Sequence, residues 1–198
     1  MRVTLFQKNP KVYTCNSYLI CGDSNALSDV NTLIDPGTNS YIFEELQLIS
    51  TGVGKRRVEQ IILTHEHFDH SGGLQYFIDE YKPSVLALSK SLPTTNQTHD
   101  GQIIKVGNRE AQILFTPGHS SDSLCIYVPE EKTLFSGDTP LFIKAPGGSY
   151  TSDYVEALKR LMKLDIRTIY SGHDYPIIGN AQDILKMTFE NVLKSEII

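Results

Sequence analysis

The chain has no tryptophan and only three cysteines, Cys15, Cys21 and Cys125, in 198 residues. Their number is odd and no C-x-x-C pair occurs, so neither a disulfide framework nor a cysteine-rich structural zinc module is encoded. Cys15 and Cys21 lie in a β-like stretch, where free thiols are commonly buried. All three read as core residues of a protein in a reducing compartment. No apolar run reaches the roughly 18 residues that a membrane span needs. The stretch up to Pro10 lacks the hydrophobic segment of a secretion signal. A cytoplasmic protein with no membrane partner is therefore expected. Cationic residues are scarce too: 18 Lys and Arg stand against 23 Asp and Glu, a net charge of −5. The one cationic cluster, Lys55-Arg56-Arg57, reads as a solvated turn ahead of a strand. Nucleic-acid binding needs broad cationic surface, so no such partner is expected. There is no internal repeat, low-complexity tract or linker, and residues 1–198 read as one domain.

What is present is a regular alternation of short strands and helices. Residues 3–7, 12–21 and 32–34 are rich in branched and aromatic side chains and read as strands. Asn9-Pro10, Gly22-Asp23-Ser24 and Asp35-Pro36-Gly37 punctuate them. Residues 41–49 carry apolar side chains at helical spacing. A strand over 58–63 runs into Thr64-His65, and a helix over 74–81 follows Gly72-Gly73, two glycines expected to let the backbone turn tightly. Further strands are expected at 85–88, 102–106, 111–115, 124–128, 133–135 and 167–170. Helices are expected at 152–164 and 181–193, the first with Asp153 and Glu156 in its opening turn, where the helix dipole favours anions. Two β-rich halves, each followed by helices, imply an α+β sandwich with helices outside. Pro146-Gly147-Gly148-Ser149 reads as a surface loop near the site.

The chemistry concentrates in Thr64-His65-Glu66-His67-Phe68-Asp69-His70-Ser71-Gly72-Gly73, which holds three of the six histidines. Imidazole nitrogens and carboxylate oxygens are the usual ligands of zinc and related cations. His65 and His67 are two apart beyond a strand end, and in extended backbone such positions point the same way, toward one metal. Asp69 and His70 fall after the turn begins and can face a second. His119 in Thr116-Pro117-Gly118-His119, Asp138 in Ser136-Gly137-Asp138-Thr139 and His173 in Ser171-Gly172-His173 each follow a strand and small residues. Strand ends are where layered α/β folds commonly place their sites. Asp35, Asp122 and Asp174 read equally as turn residues and as supports. His99 lies outside every motif, and Lys144 and Tyr150 read as surface residues.

In these motifs the chain resembles the metallo-β-lactamase superfamily, which includes glyoxalase II and the quorum-quenching lactonases. The resemblance covers nearly the whole chain and implies the αββα fold, two β-sheets flanked by helices. It also implies two divalent metal ions, zinc by default, with iron or manganese compatible with the ligands. It assigns His65, His67 and His119 to the first metal, and Asp69, His70 and His173 to the second, with Asp138 bridging. Asp35 becomes a support. The implied function is a metal-dependent hydrolase that uses a metal-bound hydroxide to cleave a small-molecule thioester, lactone or ester, with Asp69 orienting the nucleophile. A homodimer is an expectation by analogy with the fold.

The resemblance is closest to glyoxalase II-like members, but residues 139–148 lack the arginine-bearing stretch that follows the bridging aspartate in those enzymes. The alternative implied by resemblance is a persulfide dioxygenase-like oxidoreductase of the same fold. It would use a single iron on His65, His119 and Asp138, with His67 unligated.

Overall fold

A computed structural model of the protein describes residues 1–6, 11–89 and 96–198. In chain order the first half contains β1 (Arg2–Phe6), β2 (Ser17–Cys21), β3 (Thr32–Ile34), α1 (Phe43–Gln47), β4 (Gln60–Ile62), α2 (Phe68–Ser71), α3 (Leu74–Tyr81), β5 (Ser84–Ala87) and β6 (Asn96–Gln97). The second half contains β7 (Ile103–Val106), β8 (Arg109–Phe115), β9 (Leu124–Val128), β10 (Thr133–Gly137), β11 (Ser149–Tyr150), α4 (Ser152–Leu161), β12 (Thr168–Ser171), β13 (Ile177–Ile178), α5 (Ala181–Leu193) and β14 (Glu196–Ile197). The Asn9-Pro10 turn lies outside the described residues.

Two six-stranded sheets result, in the orders β1-β2-β3-β4-β5-β6 and β13-β12-β10-β9-β8-β7. The period-two alternation of each strand sorts its side chains onto opposite faces. On β9, Leu124, Ile126 and Val128 point between the sheets with Phe135, where they meet Tyr18, Ile20, Ile34 and Ile62 of the first sheet. The alternate residues Cys125 and Tyr127 face α4 and α5 and pack with Tyr154, Leu158, Leu161 and Leu185. The outer face of the first sheet, with Leu19, Leu33, Ile61 and Val85, packs against Leu46, Leu74 and Phe77 of α1 and α3. Helix, sheet, sheet, helix is thus the order of layers. Each fully buried leucine, isoleucine or phenylalanine contributes about 1.5–3 kcal/mol, and this apolar burial offsets the cost of the polar edge described below.

Strand direction positions that edge. β3 and β4 run parallel, as do β10 and β12. β8 and β10 are each antiparallel to β9 and so share one direction. Asp35 follows β3, His65 follows β4, and His119, Asp138 and His173 follow β8, β10 and β12. The Leu124 amide donates to the Thr64 carbonyl at 2.9 Å, stitching the two sheets at this rim.

Several sequence expectations change. Residues 12–16 are not strand; they form a strap whose amides reach α2 and the loop after β12, Cys15 to Asp69 O at 3.1 Å and Asn16 to Gly172 O at 2.6 Å. The 152–164 helix ends at Leu161, and its start is capped by Thr151, whose hydroxyl accepts from the Tyr154 amide. Gly72 has ordinary helical dihedrals (φ −60°, ψ −28°). Its role, and that of Gly73, is close approach: an added Cβ would lie 2.8 Å from Thr38 O at Gly72, and 2.8 Å from Asn39 O at Gly73. The cationic triplet is not a solvated turn. Lys55 donates to the Ala26 carbonyl at 3.1 Å and also to that of Asp29. Arg56 donates to the carbonyls of Tyr81 and Lys82, and Arg57 to those of Leu46 and Ile49. Arg56 thereby satisfies carbonyls at the end of α3, and Arg57 holds the segment leaving α1, whose Leu46 carbonyl also accepts from the Ile49 amide at 3.2 Å. The loop 146–149 is exposed, but it is fastened to the C-terminal end, with the Gly147 amide donating to Ser195 Oγ at 2.8 Å. The wall beside the site is formed by residues before it, Thr139 to Phe142.

Candidate metal centre

All seven ligand candidates converge at the rim where the strands of both sheets end. The side-chain donor atoms of His65, His67 and His119 lie within 4.8 Å of one another, and so do those of Asp69, His70, Asp138 and His173. The two groups meet at Asp138. Its Oδ2 is 3.6 Å from His119 Nε2 and 4.0 Å from His65 Nε2 on one side, and 3.2 Å from His173 Nε2 on the other. Its Oδ1 is 3.2 Å from His70 Nε2. Asp69 Oδ2 lies 3.0 Å from His173 Nε2 and 3.8 Å from His70 Nε2. His119 Nε2 faces His67 Nδ1 at 2.9 Å.

These separations fit cations. Four ligand atoms each about 2.0–2.2 Å from a tetrahedral centre stand roughly 3.4 Å apart, and the measured separations bracket that value. The stronger observation is what the donor atoms lack. His65 Nε2, His70 Nε2, Asp69 Oδ2 and Asp138 Oδ1 are buried without a hydrogen-bond partner. An unsatisfied buried polar group costs about 1–3 kcal/mol, so four at one point mark a place built for something that binds them. His67 and His119 are exposed, which leaves the centre open on one side.

A layer of supports aims the candidate donors. The Asp35 carboxylate, buried, accepts from the Thr64 amide at 2.8 Å and the Thr64 hydroxyl at 2.7 Å. Its Oδ2 also meets His70 Nδ1 at 2.8 Å, so one residue fixes both the loop entering the motif and the tautomer of a ligand. Asp35 adopts φ +51°, a left-handed conformation that turns its side chain back under the site. Asp122 Oδ2 accepts from the Glu66 amide at 2.9 Å, so it shapes the loop between His65 and His67. Gly172 lets two loops touch: a Cβ there would lie 2.7 Å from His70 Cε1 and press on Asp138 Oδ1. Asp174 is exposed and lines the cavity beside the centre, His99 is exposed and belongs to neither group, and Tyr150 stacks on Tyr154, 5.5 Å between ring centroids.

Electrostatics divides the histidines. Burial, helped by the charge of neighbouring His70, holds His65 down to about 4. Burial likewise lowers His119, against the pull of Asp138. For His70 burial works downward, but the Asp35 and Asp138 carboxylates outweigh it and the group is raised. The hydrogen bond to Asp138 raises His173. Burial would raise Asp138, but His173 and His70 hold it well below the usual carboxylate range. The centre thus keeps anionic oxygens beside imidazoles whose lone pairs a cation would claim.

The strap contributes residues that sequence reasoning missed. Asn16 Nδ2 donates to the Ser171 and Asp174 carbonyls at 3.1 and 3.0 Å, and the Tyr18 hydroxyl donates to Ser171 O at 2.6 Å. Both hold the loop that carries His173. Cys15 is fully buried, and its sulfur groups with Asp35 and His70; burial pushes its thiol up to about 11. An amide-bearing residue inside an apolar, β-like stretch was the available signal for Asn16. Nothing comparable marked Cys15.

Comparison with known proteins agrees with this geometry. The sequence profile of the metallo-beta-lactamase superfamily matches residues 10–173, a span that holds every ligand candidate. An atrochrysone carboxyl ACP thioesterase of Aspergillus fumigatus is 30% identical over 168 residues, 83% of this chain and 53% of that protein. A hydroxyacylglutathione hydrolase of Hydrogenovibrio crunogenus is 32% identical over 153 residues, 72% of this chain and 53% of that protein. The chain therefore spans about half the length of these relatives. Among solved structures, TTHA1623 in a di-iron-bound form superposes with a TM-score of 0.70 at 22% identity, over 95% of this chain and 98% of that one, a likeness of fold. This chain belongs to the metallo-beta-lactamase superfamily.

Proposed function

We propose that the protein is a metal-dependent hydrolase that cleaves a small thioester, lactone or ester at a two-metal centre. His65, His67 and His119 would hold one cation, Asp69, His70 and His173 the other, and Asp138 would serve both. The observation that carries this reading is the convergence of seven donors in which four buried atoms have no hydrogen-bond partner and Asp138 Oδ2 faces both groups. Cations held there would supply an activated water near neutral pH and an electrophile for a carbonyl oxygen.

The chain's own residues supply the rest. Asp69, with Oδ2 directed into the centre, would orient the nucleophile by accepting its proton in a hydrogen bond. Asp35 would keep the proton of His70 on Nδ1 and leave Nε2 free for the cation. The exposed edges of His67 and His119 would leave room for the carbonyl. The thioesterase and the hydroxyacylglutathione hydrolase among the relatives support thioester cleavage, and the di-iron form of TTHA1623 supports a two-metal occupancy of this fold.

The test is turnover by metal-loaded protein on thioester and lactone panels, with His67→Ala alongside. The expected result is hydrolysis that a chelator abolishes, and loss of both metal and turnover in the variant. Full activity in a variant that retains all its metal would overturn the assignment.

A further inference from the structure

Beside the metal centre lies a cavity of about 490 Å³, walled on one side by His119, Asp138 and His173. That size is typical of small-molecule sites. Its other walls are apolar: Leu141 and Phe142 follow β10, Ile169 lies on β12, and Tyr175 and Ile177 follow the His173 loop. The hydroxyls of Thr139 and Ser136 are already engaged, and that of Ser171 serves as an acceptor. Thr139 Oγ1 pairs with Thr116 Oγ1 at 2.9 Å, and Ser136 Oγ donates to the Gly137 carbonyl at 3.3 Å. Ser171 Oγ accepts from the amides of His173 and Asp174, each at 3.3 Å.

The charge of the lining points the same way. Among the described residues no lysine or arginine lines the cavity, and the only lining carboxylate besides Asp138 is the exposed Asp174. Lys144, the nearest cation along this segment, is held over the Phe142 ring, 4.7 Å from its centroid, and is not part of the wall. An anionic peptide carrier such as glutathione would find no lysine or arginine in this wall to meet its carboxylates. An apolar chain would find a wall of aliphatic and aromatic carbon leading from the reacting carbonyl.

We infer that this cavity receives an uncharged, apolar acyl chain, so that the substrate is a hydrophobic acyl thioester or ester and its carrier stays outside. The inference rests on the hydrolase reading above, and names the substrate class for that site. Tyr175 and Phe142, 82% and 45% exposed, stand at the opening, where an entering chain would cover them. Burying each methylene is worth about a fourfold gain.

The experiment uses the metal-loaded full chain. Straight-chain acyl thioesters of N-acetylcysteamine, acetyl to octanoyl, are compared with S-lactoylglutathione. The expected result is a kcat/KM that rises about fourfold per methylene over the first additions, with S-lactoylglutathione below octanoyl. A profile flat in chain length, or S-lactoylglutathione ahead of octanoyl, would overturn the inference. In parallel, calorimetry measures the binding of acetate through octanoate to the same protein. If metal-loaded protein turns over none of these thioesters and none of the matching esters and lactones, the hydrolase reading fails, and the carboxylate series still decides the cavity. Affinity that climbs with chain length supports it, and affinity independent of chain length refutes it. Ile177→Asp, checked for unchanged metal content, is expected to flatten the chain-length slope. An unaltered slope would remove Ile177 and its cavity from the acyl path.

Discussion

Replacing Asp35 by asparagine tests how the centre is aimed without touching a ligand. Asn preserves volume and tolerates the left-handed φ of +51° that position 35 requires, whereas Ala would add backbone strain of about 1–2 kcal/mol and confuse the result. The amide oxygen can still accept from the Thr64 amide, which Asp35 Oδ1 does now at 2.8 Å. The NH₂ then occupies the place of Oδ2 and points a donor at His70 Nδ1, which lies 2.8 Å away. The imidazole can answer only by accepting there, which moves its own proton to Nε2, the atom turned to the centre. A cation must then pay to shift that proton back. Loss of such a supporting carboxylate weakens metal binding by about 10–100-fold, or roughly 1.4–2.7 kcal/mol. The assay is competition with a graded chelator, read as metal retained per chain, with circular dichroism to check the fold. The expected outcome is loss of one metal before the other, at about 10-fold lower chelator or less. Retention of both metals with parental affinity would show that α2 alone orients His70 and would refute the tautomer argument.

Gly172→Ala is expected to displace Asp138 and His70, because the new Cβ would overlap both; overpacking costs about 1–3 kcal/mol and metal content should fall, both read by thermal melts and mass spectrometry. Metal uptake should release protons. His70 and His173 are raised above the ordinary histidine value of 6.5, so at pH 6.5 each holds its proton more than half the time in the metal-free chain, and a cation must expel it. Apparent metal affinity should therefore fall as pH drops, and calorimetry in buffers of different ionisation enthalpy should report roughly one to two protons released; a buffer-independent heat would contradict this. Arg57→Ala removes two charge-assisted bonds to the carbonyls of Leu46 and Ile49 and should lower stability by about 1.5–3 kcal/mol or more, while metal content stays at the parental level.

The candidate donors that converge at the rim were legible because their chemistry is local. H-x-H-x-D-H needs only a strand end and a turn to present its donors, and His119, Asp138 and His173 each follow a strand whose apolar alternation is plain. The layers were legible for the same reason, since Leu124, Ile126 and Val128 alternate with residues bound for the other face. The supports are products of tertiary structure. Residues 12–16 carry β-type side chains, yet their backbone amides are engaged by α2 and the His173 loop, 54 and more residues away, a competition no local pattern reveals. The two-residue strands β6, β11, β13 and β14 are too short to show a period-two pattern, and they form where a neighbour offers an edge. Lys55-Arg56-Arg57 resembles a solvated cluster until the segments that end α1 and α3 present carbonyls to it.

The central claim is that this rim holds two cations. Metal per chain, measured by mass spectrometry on protein purified without added metal, tests it most directly. The account predicts about two ions, as a two-metal centre requires. One iron per chain, with the Asp69–His70–His173 group empty, would contradict it and turn the chemistry toward oxygen.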